Sequence, residues 1–149
     1  MSEDTLITGG CQCGAVRYAF SGSFEAMVCH CRMCQRASGG PYMAYATPSR
    51  ERLRWTQGNP GRYQSSDKAE RLYCRACGTP LAFRNLARGT VDLTAGSLDN
   101  PELARPSWAL GIESKRFWVD HVGELPGRTT TDWMADNEAP PQSSTPDKI

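Results

Sequence analysis

At 149 residues the chain has room for one domain with one core rather than two, and its 39% apolar and 22% charged residues are ordinary for a globular protein. Its 17 lysines and arginines against 16 aspartates and glutamates leave a net charge of +1, which excludes a long-range pull towards nucleic acid or an anionic membrane. No run nears the roughly 18 apolar residues of a membrane span, and MSEDTLITGG lacks the basic and apolar regions of a signal peptide, so a cytoplasmic location is expected.

In chain order, Leu6 to Phe20 reads as a hairpin: a Gly9-Gly10 turn, the pair Cys11 and Cys13, then Ala15 to Phe20 alternating at the period of a strand. Met27-Val28 predicts a strand running into the loop CHCRMCQRASGG, which leaves room for about one helical turn before Gly39. Pro41 to Ala46 and Leu53-Arg54-Trp55 predict further strands, with turn chemistry in Gln57 to Gly61. Arg71-Leu72-Tyr73 and Leu81-Ala82-Phe83 flank CRACG as a second cysteine-bearing hairpin. Val91 to Gly96 and Phe117-Trp118-Val119 are strand candidates separated by a turn at Leu98 to Pro101. The expected architecture is mainly β, with a single domain over residues 6–134. From Ala135 to Ile149 the proline-rich, polar composition predicts a disordered tail.

The cysteines carry the chemistry. They fall as Cys11-x-Cys13, then Cys29-x-Cys31-x-x-Cys34, then Cys74-x-x-Cys77. In a reducing compartment such closely spaced thiols point to metal rather than to disulfides, and the odd count of seven agrees. Zinc takes four ligands in a tetrahedron, and short cysteine pairs on neighbouring hairpins can close such a site. Gly14 and Gly78, each following a ligand, would let the backbone turn tightly beneath the sulfurs. Seven thiolates cannot complete two four-cysteine sites, so one of two zincs would keep a position for water or substrate, as a catalytic zinc does. A single structural zinc with three idle thiols is the plainer alternative. His30 could fill the gap, although in an extended segment it projects away from the face shared by Cys29 and Cys31.

Four ordered segments, GGCQCGAVRY, CHCRMCQRASG, YQSS and YCRACGTPL, resemble the glutathione-dependent formaldehyde-activating enzyme family, also known as the centromere-protein-V-like domain. Weaker similarity continues through TAGSLDNPE and ESKRFWV to Gly127. The resemblance implies zinc-stapled antiparallel sheets of the Mss4-like type. It assigns Cys11, Cys13, Cys74 and Cys77 to a structural zinc, and Cys29, Cys31 and Cys34 to a second zinc with an exchangeable fourth ligand. It also implies a carbon-sulfur lyase that interconverts glutathione plus formaldehyde with S-(hydroxymethyl)glutathione. Many members carry a histidine and a tryptophan where this chain reads Trp108-Ala109-Leu110-Gly111-Ile112, so contacts made by those side chains would be replaced here.

On this reading the partner is a small thiol or thiol adduct, and two zincs per chain are the cofactors. Arg36, Ser38, Gly39 and Gly40 follow the open site and could offer a guanidinium, a hydroxyl and N–H groups to a substrate. Gln64, Ser65 and Ser66 fit a strand cap better than a pocket wall, His121 reads as a surface histidine, and the four tryptophans read as packing. A non-enzymatic zinc module, for protein interaction or redox sensing, is the competing class; it would show a broad apolar patch and no pocket beside Cys29, Cys31 and Cys34.

Overall fold

The computed structural model describes residues 5–137. Short runs rich in β-branched and aromatic residues, punctuated by glycine and proline, fold into ten strands. These are β1 (Leu6–Gly10), β2 (Arg17–Ser21), β3 (Phe24–Cys29), β4 (Met43–Pro48), β5 (Arg54–Gln57), β6 (Gly61–Ser66), β7 (Ala69–Tyr73), β8 (Pro80–Asn85), β9 (Thr90–Thr94) and β10 (Trp108–Leu110). Two short helices, α1 (Arg32–Ser38) and α2 (Thr130–Asn137), and several 3-10 turns complete the described chain. The mainly β class expected from the sequence is the one observed.

The strands form two sheets, a three-stranded one in the order β1-β2-β5 and a seven-stranded one in the order β10-β3-β4-β9-β8-β7-β6. All pairings are antiparallel except that of β10 with β3. Period-two alternation sends Ala26, Ala46, Leu72, Ala82, Val91 and Leu93 to one face of the large sheet, where they meet Ile7, Tyr18, Phe20 and Leu53 from the small-sheet side in the main core. Edge-on aromatic pairs, Tyr18 with Trp55 and Phe20 with Phe24, finish that core.

The segment after β9 clasps the two sheets together. The Tyr18 hydroxyl is 2.7 Å from Ser97 Oγ, Asp99 N donates to Thr8 O at 3.0 Å, and Arg17 Nη1 donates to Asp99 Oδ1 at 3.0 Å. The opposite face of the large sheet is left open for the site.

The strand expected at Phe117 to Val119 is instead part of a run of 3-10 turns, Phe117–Glu124. The cause is local: Val119 N donates to Arg116 O, Lys115 pairs with Asp120, and no sheet edge receives Phe117, whose side chain is 85% exposed. The tail expected from Ala135 begins inside α2, whose last turn takes in 135–137; residues 138–149 lie outside the described residues. No helix among the described residues is long and apolar enough to cross a membrane.

Candidate metal centre and cleft

Two hairpin loops that are distant in sequence supply the first cysteine group. The loop between β1 and β2 presents Cys11 and Cys13, and the loop between β7 and β8 presents Cys74 and Cys77. Each loop is a knuckle closed by its glycine: Gly14 N donates to Cys11 O at 3.0 Å and Gly78 N to Cys74 O at 2.9 Å, both glycines having φ of 77°. All four sulfurs lie within 4.8 Å of one another, with Cys11 to Cys13 at 3.6 Å and Cys13 to Cys74 at 3.7 Å. Sulfurs placed about 2.3 Å from a common centre form a tetrahedron with edges of about 3.8 Å, so this donor set fits a thiophilic metal ion.

The thiols do not share charge equally. Slight burial opposes the Cys77 thiolate, but the Thr79 hydroxyl, 3.1 Å from its sulfur, and nearby N–H groups outweigh it and pull the Cys77 pKa down to about 6. Although the Ala15 N–H favours its thiolate, Cys13 is pushed up to about 12 by Cys77 and Cys11. Ionising all four sulfurs at this spacing would require a cation among them.

The second group is built at the end of β3 and the start of α1. Cys29 is the last residue of β3, Cys31 caps α1 by accepting the Cys34 N–H at 3.4 Å, and Cys34 follows one turn later. Their three sulfurs also lie within 4.8 Å of one another, so both groups could hold a metal ion. Burial, with the neighbouring sulfurs of Cys31 and Cys34, pushes the Cys29 thiol up to about 12. Burial also opposes the Cys31 thiolate, yet the Cys34 N–H and the adjoining sulfurs hold its pKa below the ordinary value. His30 does not join the group: its buried ring meets the edge of Tyr42 at 5.4 Å between centroids, and its Nδ1 has no hydrogen-bond partner. Gln35 anchors α1 by donating to His30 O at 2.6 Å and Ser114 O at 2.9 Å.

This second group opens into a cleft of about 440 Å³ on the free face of the large sheet. Alternation along β3 sets Cys29, Met27 and Glu25 in line there; Tyr45, Phe83, Trp108 and Leu110 add apolar wall, and Thr47, Asp92, Asn85 and Arg88 make the far end polar. Asp92 accepts a hydrogen bond from Thr47 Oγ1 at 2.8 Å, and burial raises its pKa. A bulge in the pairing of β6 with β7, between Gln64 and Ser66, accompanies the turn of Ser65 and Ser66 into the cleft.

Residues 6–114 match the family described as glutathione-dependent formaldehyde-activating enzyme. The chain belongs to that family. A Schizosaccharomyces pombe protein described as an uncharacterized lyase is 34% identical over 76 residues, which are 50% of this chain and 55% of that one. The chain therefore spans about half the length of that relative. The crystal structure of a Rhodobacter sphaeroides protein, 27% identical, superposes with a TM-score of 0.55 over 68% of this chain and 98% of that one.

In this member of the formaldehyde-activating family the polar residues expected just after the cysteines are not those that line the cleft. Ser38 Oγ donates to Gln35 O and Tyr42 O and accepts from Gly40 N, while Gly39 N donates to Gln35 O; both residues are engaged in ending α1. Arg36 lines an adjoining hollow rather than the cleft itself. His121 is exposed beside Glu124, its Nδ1 3.1 Å from Oε2. Trp55 packs as expected, whereas Trp108 lines the cleft.

Sequence reasoning missed Arg71 and Tyr45. Arg71 Nη2 donates to Cys34 Sγ at 3.7 Å and Nη1 to Tyr45 Oη at 3.2 Å, and Tyr45 Oη is 3.5 Å from Cys34 Sγ. Burial, reinforced by the Cys34 sulfur, pushes the Tyr45 phenol far above its usual range, so it keeps its proton. The one available signal was the parity that sets Arg71 opposite Phe83 on the cleft face.

Proposed function

We propose that this chain is a zinc-dependent enzyme of the carbon-sulfur lyase type, acting on a thiol adduct such as that of glutathione with formaldehyde. The observation that carries this reading is the asymmetry of the two cysteine groups: one offers four sulfurs, the other offers three and faces a cleft. Cys11, Cys13, Cys74 and Cys77 would bind a structural zinc, and Cys29, Cys31 and Cys34 a second one. Bound there, zinc would keep an incoming thiol ionised and ease cleavage of its carbon-sulfur bond.

The chain's own groups would do the rest. Met27, Phe83, Trp108 and Leu110 line one side of the cleft and would shield the reacting carbon from water once substrate fills it, strengthening each polar contact nearby. Ser65, Ser66, Asn85 and Arg88 offer donors to the peptide part of a glutathione-sized thiol. In the synthetic direction sulfur bonds to the carbonyl carbon, the C=O π pair moves to oxygen, and the thiol proton ends on that oxygen. The cleft beside Cys29, Cys31 and Cys34 favours an enzyme over an interaction module. On this reading the partner is a small thiol; a net charge of +1 offers no pull towards nucleic acid or membrane, and unpaired cysteines suit a reducing cytoplasm.

The test is zinc content per chain together with ¹³C NMR of labelled formaldehyde and glutathione, on wild type and on Cys31→Ser. Two zincs falling to one, with loss of enzyme-accelerated exchange between free and glutathione-bound formaldehyde, is the expected result. One zinc in both proteins, restored to two by no addition of metal, would overturn it.

A further inference from the structure

Arg71 enters the cleft from the middle of β7 with its guanidinium stacked on the Phe83 ring, 5.3 Å from the centroid. Its polar partners are the Cys34 sulfur and the Tyr45 hydroxyl. Among the described residues it pairs with no carboxylate; the arginine and lysine ion pairs there join Arg17 to Asp99, Arg84 to Glu70, Lys115 to Asp120 and Arg128 to Asp136. Half-buried against an apolar wall, the guanidinium is favoured by an anion at hand, and the group it touches is the Cys34 sulfur of the three-cysteine group.

Charge arithmetic gives that contact a purpose. Three cysteinates around a divalent cation leave one net negative charge, and an anionic thiolate entering as a further ligand makes it two. Against apolar walls the second charge is costly, whereas at the four-cysteine group the exposed Cys13 and Cys77 meet water. We propose that Arg71 is the counter-ion of the Cys29, Cys31 and Cys34 group, the charge that allows it to accept an anionic thiolate, with the Tyr45 hydroxyl holding the guanidinium beside Cys34. This inference rests on the reading of those three cysteines as an open metal site. Its consequence is selective: an anionic ligand depends on Arg71, and a neutral ligand does not.

The full chain loaded with cobalt(II) tests this through the visible absorption of cobalt thiolate, without any assay of turnover. Wild type, Arg71→Met and Arg71→Lys are titrated with 2-mercaptoethanol, which binds as a thiolate, and with imidazole, which binds neutral. Arg71→Met is expected to weaken thiolate binding about tenfold or more, the effect of removing one nearby opposite charge, while imidazole binding changes by less than about threefold. Arg71→Lys keeps the charge but loses the planar fork that stacks on Phe83 and reaches both Cys34 and Tyr45, so it should recover only part of the thiolate affinity. Should the methionine variant fail to fold, Arg71→Gln carries the same comparison. Equal weakening of both ligands, or unchanged thiolate affinity, would overturn the counter-ion role while leaving the open site intact. A wild-type chain that takes up only one cobalt would overturn both.

Discussion

The sulfur of Cys13 lies 3.7 Å from that of Cys74, 61 residues further along the chain. One belongs to the hairpin of the small sheet and the other to a hairpin of the large sheet, so a metal held between them staples the two layers of the fold. Such a bond closes a long loop and acts on stability rather than on chemistry. Removing metal with a strong chelator should cost about 3 kcal/mol or more, lowering the melting temperature by about 6–12 °C for a domain of this size. Calorimetry before and after chelation checks it; an unchanged melting curve would count against a staple.

Asp99 should make stability depend on acid. Burial opposes its ionisation, but hydrogen bonds from Arg17 and Thr8 outweigh it and hold its pKa below the usual carboxylate value. The folded state therefore favours the charged form: the stabilisation is present above the unfolded pKa of about 4 and is lost as pH falls through the folded value. Asp99→Asn should cost about 1–2 kcal/mol at pH 7, and the gap from wild type should narrow as pH falls below the unfolded pKa of about 4. Urea unfolding of both proteins at pH 7 and across the acid range measures it; a gap of constant size would show that charge is not the cause.

Gly111 guards the second cysteine group. Its φ is +68°, and a Cβ there would stand 2.7 Å from the backbone N of Cys31. Gly111→Ala should destabilise the fold by about 1–3 kcal/mol and displace Cys31. The expected signature is loss of metal from the three-cysteine group while the four-cysteine group stays loaded, read by metal content per chain. Full loading of both groups would refute the steric argument.

Leu81 has no exposed surface and sits in the main core. Leu81→Ala should cost about 2–5 kcal/mol through lost burial and the cavity left behind. Chemical denaturation measures the loss, and metal content should remain that of wild type. A cost below 1 kcal/mol would mean that the core closes over the gap.

What could be read from the residues alone is what depends on near neighbours. Cysteines two or three positions apart must present their sulfurs together, a glycine after each knuckle lets the backbone close, and alternation in Val91-Asp92-Leu93 separates a core face from a cleft face. Pairing decided the rest. Tertiary structure joined the β7–β8 hairpin to β4 through β9 and so brought Arg71 to Cys34, 37 residues away; it also paired Trp108 of β10 with Met27 of β3 in parallel, lining the cleft with a tryptophan. It assigned Ser38 and Gly39 to ending a helix, because the backbone groups released at a helix end need partners. It left Phe117 without a sheet to join, although its neighbours have the composition of a strand. Local pattern determined which atoms could ligate a metal, since that depends on chemistry and spacing; only the packing of distant strands decided what charge and what walls surround them.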